Sequence, residues 1–477
     1  MKEKLRISIT SYIHFLVDFT CVYWMVLMTM RQYDAYYFHP MGDTIADSRL
    51  GWILVYNFCA FVLQLPIGWL VDRYAQRKPW WISSMGCLIL AITGALIFGE
   101  SVWQAKDVGF RPDGRGWIRF YYSELHGLCY SVLLGIGNAL FHVGAGVEIL
   151  HLSAQGGRKE PRHRKGVIAA IDCAGYRMAP VGIFVSTGAL GLYLGRILSW
   201  HLEGVSFVIS DYFLVRTVYS LLMIGLMLAA VGLNYALTKP ASRHQGKVQD
   251  IPVAGASVAI EEEPPERAET DIGEALSERV PQSPVWNAGI ILLLFLVVVL
   301  RSFQGGATEF SWYFLWSFSG FAFAVCVMLG KVLGGILADR IGVLWTVLLP
   351  LVCSALLLQF TSDYMIPGLI AVLLFQTTMP ITLSLMHRQT PGHPGMAFGL
   401  LSFGLFLGSL PGMVLRIWKD LNGIIILPRQ NRFIWILQEV FRYEHIGSTV
   451  AAISLLLLLV VLFLWWRYSG RGSVAHK

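Results

Sequence analysis

The sequence predicts an all-α integral membrane protein whose twelve transmembrane helices form two six-helix bundles. Of its 477 residues, 55% are hydrophobic and only 14% are charged, whereas a soluble protein averages about 25% charged residues. The apolar residues cluster in runs long enough to cross a hydrocarbon core as a helix, which takes about 20 residues. Lipid offers the backbone no hydrogen-bond partners, so the N–H and C=O groups of each membrane crossing must bond to one another. The short alternating segments typical of a membrane barrel are missing, which leaves helices.

The apolar runs fall into two groups of six with a polar segment between them. Residues 1–237 are expected to form an N-terminal six-helix bundle and residues 285–477 a C-terminal one. Residues 238–284 contain few large apolar side chains and an acidic run, and they are expected to form a cytoplasmic polar linker. The expected helices lie near 8–30, 50–72, 80–99, 124–150, 166–190, 213–237, 285–306, 312–338, 343–362, 365–387, 395–416 and 447–466.

Loop charges predict the orientation. The loop after the fourth helix is strongly basic, whereas the loop after the ninth contains no Lys or Arg. Because basic residues collect in cytoplasmic loops, we expect a multi-pass protein of the cell (inner or plasma) membrane with both termini in the cytoplasm. The long loops 100–122 and 417–446 then lie together on the outer side. The basic N-terminus is not followed by a small-residue cleavage site, so the first helix is expected to be retained.

One loop motif occurs twice, after the second and after the eighth helix. Each copy sits between the second and third helices of its half, in an arrangement of parallel halves known from transporters. We expect these loops to form a cytoplasmic gate that makes its contacts in one state and breaks them in the other. A plain charged turn is the alternative, and the matching positions of the copies argue against it. The gate residues are Gly68, Asp72, Arg73, Arg77, Lys78, Gly335, Asp339, Arg340 and Gly342.

The two copies resemble the loop signature of the major facilitator superfamily, G-x-x-x-D-R-x-G-x-R-K. Ala75 replaces a Gly in the first copy, and the second copy lacks the final basic pair. The segments 14–18, 135–146, 301–303 and 394–399 further resemble the fosmidomycin-resistance-type branch of bacterial efflux transporters, with Val143 at a position where that branch usually has Pro. The resemblance implies a monomeric secondary transporter that works by alternating access with a small-molecule substrate.

Three ionisable residues within apolar runs are candidates for proton coupling: His14, Asp18 and Asp172. Ionisable groups are costly inside a membrane and usually face a cavity. His14 and Asp18 are four residues apart and share a helix face, so they are suited to exchanging a proton. A structural hydrogen bond that fixes helix packing is the alternative. Ser131 stands where many drug antiporters of the superfamily have an Arg, so any coupling must run through other groups.

Further polar residues are candidates for the substrate cavity: Asn138, His142, Arg177, Arg301 and Gln304. Arg offers a fork that matches phosphate or carboxylate, which suits an anionic substrate. Interhelical hydrogen bonds and ion pairs are the alternatives. Gly175 and Pro180 are expected to kink the fifth helix, in a pattern that resembles the glycine-proline motif of superfamily antiporters.

The leading functional hypothesis is proton-coupled export of a small amphipathic or anionic compound. An importer of an organic anion or nutrient is the runner-up, and a non-transporting membrane sensor on a transporter scaffold is an alternative of another class. HExxH, GxSxG and GxxxxGK[ST] motifs are missing from the sequence, so neither an enzyme nor ATP-driven transport is expected. We expect no cofactor, no nucleic-acid partner and, because the histidines are dispersed, no metal site.

Overall fold

The computed structural model describes residues 2–29, 45–75, 78–104, 108–110, 116–118, 123–156, 176–204, 209–238, 284–308, 310–314, 317–422 and 432–469. Within these ranges, twelve helices are long and apolar enough to cross a membrane. Many large apolar side chains remain exposed on the outside of the bundle, among them Leu221, Leu356 and Leu456. That exposure fits a lipid solvent, and the predicted twelve-helix, all-α membrane fold is confirmed.

The first six spans occupy the N-terminal half. Span 2 is composite, because a π turn at Phe58–Val62 joins its two α-helical parts. The spans are Lys2–Thr29 (span 1), Ile45–Asn57 with Gln64–Tyr74 (span 2), Pro79–Gln104 (span 3), Glu124–Gly156 (span 4), Ala179–Gly204 (span 5) and Ile209–Thr238 (span 6).

The fifth span differs from the predicted helix at 166–190, because residues 176–178 are not helical. Residues 166–175 lie outside the described part of the chain. The described helix begins at Ala179, because the Asp339 carboxylate from the other half accepts the backbone N–H groups of Met178 and Ala179 and so fixes its start. Pro180 is therefore in the first turn, where its missing N–H costs nothing and produces no kink. Gly175 lies outside the described residues.

The last six spans occupy the C-terminal half. Span 8 begins later than predicted because Ser317 caps it: the Ser317 hydroxyl accepts the Ser319 N–H at 3.2 Å. Span 10 consists of two helical segments that meet at Thr377. The spans are Pro284–Ala307 (span 7), Phe318–Ile341 (span 8), Val343–Phe360 (span 9), Met365–Gln376 with Thr378–Gln389 (span 10), Pro394–Asn422 (span 11) and Ile446–Ser469 (span 12).

The two long loops, 100–122 and 417–446, contain short elements of secondary structure. Strands β1 (Val108–Phe110) and β2 (Gly116–Ile118) pair antiparallel between spans 3 and 4. A helix at Arg432–Arg442 lies between spans 11 and 12. Its Phe441 packs against Phe303 of span 7, with ring centroids 5.3 Å apart.

Glycines bring span 5 against span 1. A Cβ at Gly191 would overlap the Phe15 carbonyl, and a Cβ at Gly195 would lie 2.5 Å from the Phe19 carbonyl oxygen. Because neither glycine has a side chain, the two backbones approach closely, as in other membrane helix pairs. This contact places the middle of span 5 over the polar residues of span 1.

Candidate functional site

Two carboxylates join the halves at one edge of the bundle. Asp72, at the end of span 2, accepts the backbone N–H groups of Gly395 (2.7 Å) and Met396 (2.8 Å) at the start of span 11. Asp339, at the end of span 8, accepts those of Met178 (2.7 Å) and Ala179 (3.0 Å) at the start of span 5. Each acid satisfies orphan N–H groups and favours the positive end of a helix dipole. We call these contacts the two latches, and this side of the bundle the motif edge.

Gly and Asp are four residues apart in both motif copies, and this shared spacing has a steric basis at the latches. A Cβ at Gly68 would overlap the Gly395 carbonyl, and one at Gly335 would lie 2.6 Å from the Met178 carbonyl oxygen. Glycine four residues before each acid therefore lets a helix of one half touch a helix start of the other. The two motif copies make equivalent contacts in opposite directions.

The remaining motif residues that the structure describes are Arg73, Lys78, Arg340 and Gly342. Arg73 lies over the rings of Trp69 and Tyr74 at 5.7 and 5.6 Å. Lys78 and Arg340 are exposed, and Arg77 lies outside the described residues. Gly342 has a φ of 94° and separates spans 8 and 9, a conformation that side chains rarely adopt.

A cluster of two imidazoles and one carboxylate is buried inside the N-terminal half. The Nε2 atoms of His14 and His142 are 2.9 Å apart. The Asp18 carboxylate lies 3.2 Å from His14 Nε2 and 3.5 Å from His142 Nε2. Of the three side chains, His142 is the most accessible, with 13% of its surface exposed. Spans 1 and 4 thus bring together residues that are 128 positions apart in the sequence.

The backbone fixes how both imidazoles are protonated. His14 Nδ1 lies 2.7 Å from the Phe184 carbonyl oxygen, and His142 Nδ1 lies 2.9 Å from the Asn138 carbonyl oxygen. A carbonyl only accepts, so both Nδ1 atoms carry hydrogen. In neutral rings both Nε2 atoms then present lone pairs to each other and to the carboxylate. Three acceptors face one point, and this arrangement requires a proton or another cation among them.

Neighbouring groups hold the cluster in place. Asn138 Nδ2 donates to Asp18 Oδ1 at 3.3 Å. The Phe184 ring stacks on the His14 ring, with centroids 4.5 Å apart. A Cβ at Gly188 would overlap the Asp18 carboxylate and lie 2.6 Å from His14 Nε2, so span 5 covers the cluster only because residue 188 is glycine.

The cationic side chains of Lys331 and Arg301 lie within spans of the C-terminal half. Lys331 of span 8 donates to the Val185 carbonyl of span 5 at 3.2 Å and is within electrostatic range of both Asp18 and Arg301. Arg301 is buried and donates through Nη1 to the Thr382 hydroxyl at 3.4 Å. Gln304 is buried and donates to the Gly447 carbonyl at 3.4 Å. Arg301 Nη2 and Gln304 Oε1 have no hydrogen-bond partner in the part of the chain that the structure describes.

Some candidates from the sequence lie elsewhere. Arg177 precedes span 5 rather than lying inside it, and its half-exposed guanidinium faces Glu3 at 3.4 Å, at the motif edge. It therefore does not line a cavity with Arg301. Asp172 lies outside the described residues. The histidines that are dispersed in the sequence are partly brought together, because His14, Asp18 and His142 place possible ligand atoms within 4.8 Å of one another.

Sequence reasoning missed three features. Lys331 reaches across to span 5, although a lysine near the end of a membrane helix commonly extends towards the membrane surface. Gly188 was not singled out, although glycines at 188, 191 and 195 share one helix face and indicate a close helix contact. Glu148, buried near the end of span 4, pairs with Arg6, and an acid within an apolar run was the available signal.

Comparisons with known proteins identify the fold. No family model matches the sequence, and no curated protein matches it. Among solved structures, the E. coli fucose:proton symporter FucP is similar at 11% identity over 97% of this chain and 99% of its own, with a TM-score of 0.53. The major facilitator superfamily proton:xylose symporter XylE matches at 11% identity over 98% and 96%, with a TM-score of 0.51. The human organic anion transporter MFSD10 matches at 14% identity over 97% and 99%, also with a TM-score of 0.51.

Proposed function

Proceeding from the major facilitator fold, we propose that this protein is a secondary active transporter that exports a small amphipathic or anionic compound in exchange for protons. The buried His14–Asp18–His142 cluster carries this proposal. Ionisable groups inside a membrane are costly and mark ion pathways, and this cluster requires a cation between its facing acceptors. A proton fits the 2.9 Å separation of the two Nε2 atoms as it stands.

The latches supply the gating step. Two helix starts are held by carboxylates of the opposite half, so separating the halves at the motif edge breaks both sets of hydrogen bonds. Rigid-body rocking of one bundle against the other is the expected motion of this architecture. With both termini in the cytoplasm of a cell-membrane protein, the latched state is the outward-facing one, and release of the latches opens the cytoplasmic side.

Arg301 favours an anionic substrate. Its guanidinium is buried and, among the described residues, lies in no ion pair with a carboxylate, while Nη2 has no hydrogen-bond partner there. An uncompensated buried charge is costly, and an anionic substrate would offset that cost. The same observation supports the runner-up, uptake of an organic anion. The solved structures of this fold include proteins named as proton symporters and as an organic anion transporter, so both directions must be tested. The finer kinship with the fosmidomycin-resistance-type branch is part of the same proposal.

Transport by purified protein in liposomes tests the proposal. A pH-sensitive dye inside the vesicles reports proton movement when a panel of organic anions and amphipathic compounds is added under an imposed pH gradient. Exchange moves protons against the compound, whereas symport moves both in the same direction. Asp18→Asn should abolish the compound-dependent proton signal, because the amide has no negative charge to hold a cation. Asp363→Asn removes an exposed carboxylate from the turn between spans 9 and 10 and is the matched control.

Two results would contradict the proposal. Proton movement that is unchanged in Asp18→Asn and His14→Gln would remove the cluster from coupling and leave Asp172 as the remaining candidate. Absence of transport for every compound, in protein that remains folded and monodisperse, would favour a sensor on a transporter scaffold.

A further inference from the structure

We propose that the His14–Asp18–His142 cluster binds a divalent transition metal ion, with Zn²⁺ as its representative, and that such an ion is a substrate. The binding site stands on geometry alone, whereas the role of the ion as cargo rests on the proposed transport function. The residues come from spans 1 and 4 of the N-terminal half.

The distances approach those of a tetrahedral site with three protein ligands. Zinc bonds to His nitrogen and carboxylate oxygen are about 2.0–2.2 Å, which places neighbouring ligand atoms about 3.3 Å apart in a tetrahedron. Asp18 Oδ2 lies 3.2 Å from His14 Nε2 and Asp18 Oδ1 lies 3.5 Å from His142 Nε2, so each histidine faces a different oxygen of the carboxylate. With one ligand atom from each residue, the three atoms lie within 4.8 Å of one another. The Nε2–Nε2 separation of 2.9 Å fits a shared proton and must open by about 0.4 Å to admit the metal. That change is within the reach of a small side-chain rotation.

A set of outer hydrogen bonds orients the ligands. Metal-binding histidines usually donate their other ring N–H to a carbonyl or carboxylate, which fixes the tautomer and aims the lone pair. Both histidines do so here, His14 to the Phe184 carbonyl and His142 to the Asn138 carbonyl. The Asn138 side chain also donates to the Asp18 carboxylate. These contacts leave both Nε2 lone pairs free for an ion and hold the carboxylate beside them.

The ligand types select the class of ion. Imidazole suits Zn²⁺, Fe²⁺, Ni²⁺ and Cu²⁺, whereas Mg²⁺ and Ca²⁺ require oxygen ligands. Two histidines and one carboxylate leave at least one coordination position open, as in sites where a water or a substrate completes the metal shell. His142, the most accessible of the three, marks the side from which an ion enters.

Calorimetric titration of the full-length protein in lipid nanodiscs tests the site. The wild-type protein should bind one equivalent of Zn²⁺ and show no response to Mg²⁺. His142→Gln and Asp18→Asn should each weaken Zn²⁺ binding by at least about 100-fold, because even outer-shell changes at metal sites cost about 10- to 100-fold. His142→Cys keeps a metal ligand at the same position and should retain binding. His126→Gln, which removes an exposed histidine near Glu100, is the matched control and should bind like the wild type.

Two readouts separate this proposal from the transport proposal. Co²⁺ should give a visible absorption band of tetrahedral intensity in the wild type and lose it in His142→Gln. Zn²⁺ binding that is unaffected by His142→Gln and Asp18→Asn, or no binding at all, would overturn the metal site even if compound-driven proton movement persists. Binding without movement of Zn²⁺ into liposomes, in protein that does transport another compound, would overturn only its role as cargo.

Discussion

Replacing Asp72 with Asn should loosen the motif edge by a measurable factor. The carboxylate accepts the N–H groups of Gly395 and Met396 at 2.7 and 2.8 Å. The amide keeps one acceptor oxygen but turns its NH₂ group towards the second N–H, so one charge-assisted hydrogen bond is lost. Such a bond contributes about 1.5–3 kcal/mol, and the charge at a helix start about 0.3–1 kcal/mol. Together these contributions give about 2–4 kcal/mol and favour the open edge by about 30- to 700-fold, at tenfold per 1.4 kcal/mol.

Hydrogen exchange measured by mass spectrometry tests this value in lipid nanodiscs. Local opening sets the exchange rate of a protected N–H. Exchange at Met178 and Ala179, the distant latch, should therefore also accelerate by about 30- to 700-fold when both latches open together. The control variant Asp363→Asn should leave the exchange rates at both latches unchanged. Faster exchange confined to the start of span 11, with the Met178 and Ala179 amides unchanged after Asp72→Asn, would refute the idea that the two latches open as one unit.

Three further substitutions test other parts of the structure. Gly188→Ala should lower the free energy of unfolding by about 1–3 kcal/mol through overpacking and abolish proton movement, as measured by thermal unfolding and in liposomes. Gly225→Ala is the control: a Cβ there meets open space, so both stability and proton movement should be unchanged. Arg301→Met should leave the unfolding temperature unchanged or raised and reduce organic-anion transport about tenfold or more. Arg467→Met, at an exposed helix end, is the control and should leave transport unchanged. Gly342→Ala should lower the free energy of unfolding by about 1–3 kcal/mol, because a side chain at a φ of 94° is strained, and unchanged thermal unfolding would contradict this.

The membrane fold was readable from the sequence because lipid forces each crossing to be a long apolar helix. The start of span 5 was not readable in the same way. Apolar and small residues continue from 166 onwards, so a local pattern extends the helix backwards. The position of its first turn depends instead on Asp339, which is 160 residues away from Ala179 in the sequence. A local reading has no access to that contact.

The functional cluster was partly readable. His14 and Asp18 share a face through their spacing of four residues, and that rule needs no tertiary structure. Contact with His142 depends on how spans 1 and 4 cross, so histidines that are dispersed in the sequence gave no sign of a shared site. The direction of Lys331 likewise depends on the Val185 carbonyl of a helix in the other half.

The π turn at Phe58–Val62 determines the direction in which Asp72, the carboxylate of one latch, points around the axis of span 2. Tyr56, before this turn, and Cys59, within it, face Gly135 of span 4 in the same half. After the turn, Gln64 Oε1 accepts a hydrogen bond from the Ser402 hydroxyl of span 11 in the other half at 2.5 Å. A π turn holds one residue more than an α turn, and one residue corresponds to about 100° of rotation around a helix. Deleting a single residue there would turn Asp72 by about that angle, away from span 11. The contact between Asp72 and the other half thus depends on one extra residue in the middle of a membrane helix, well before the motif that contains Asp72.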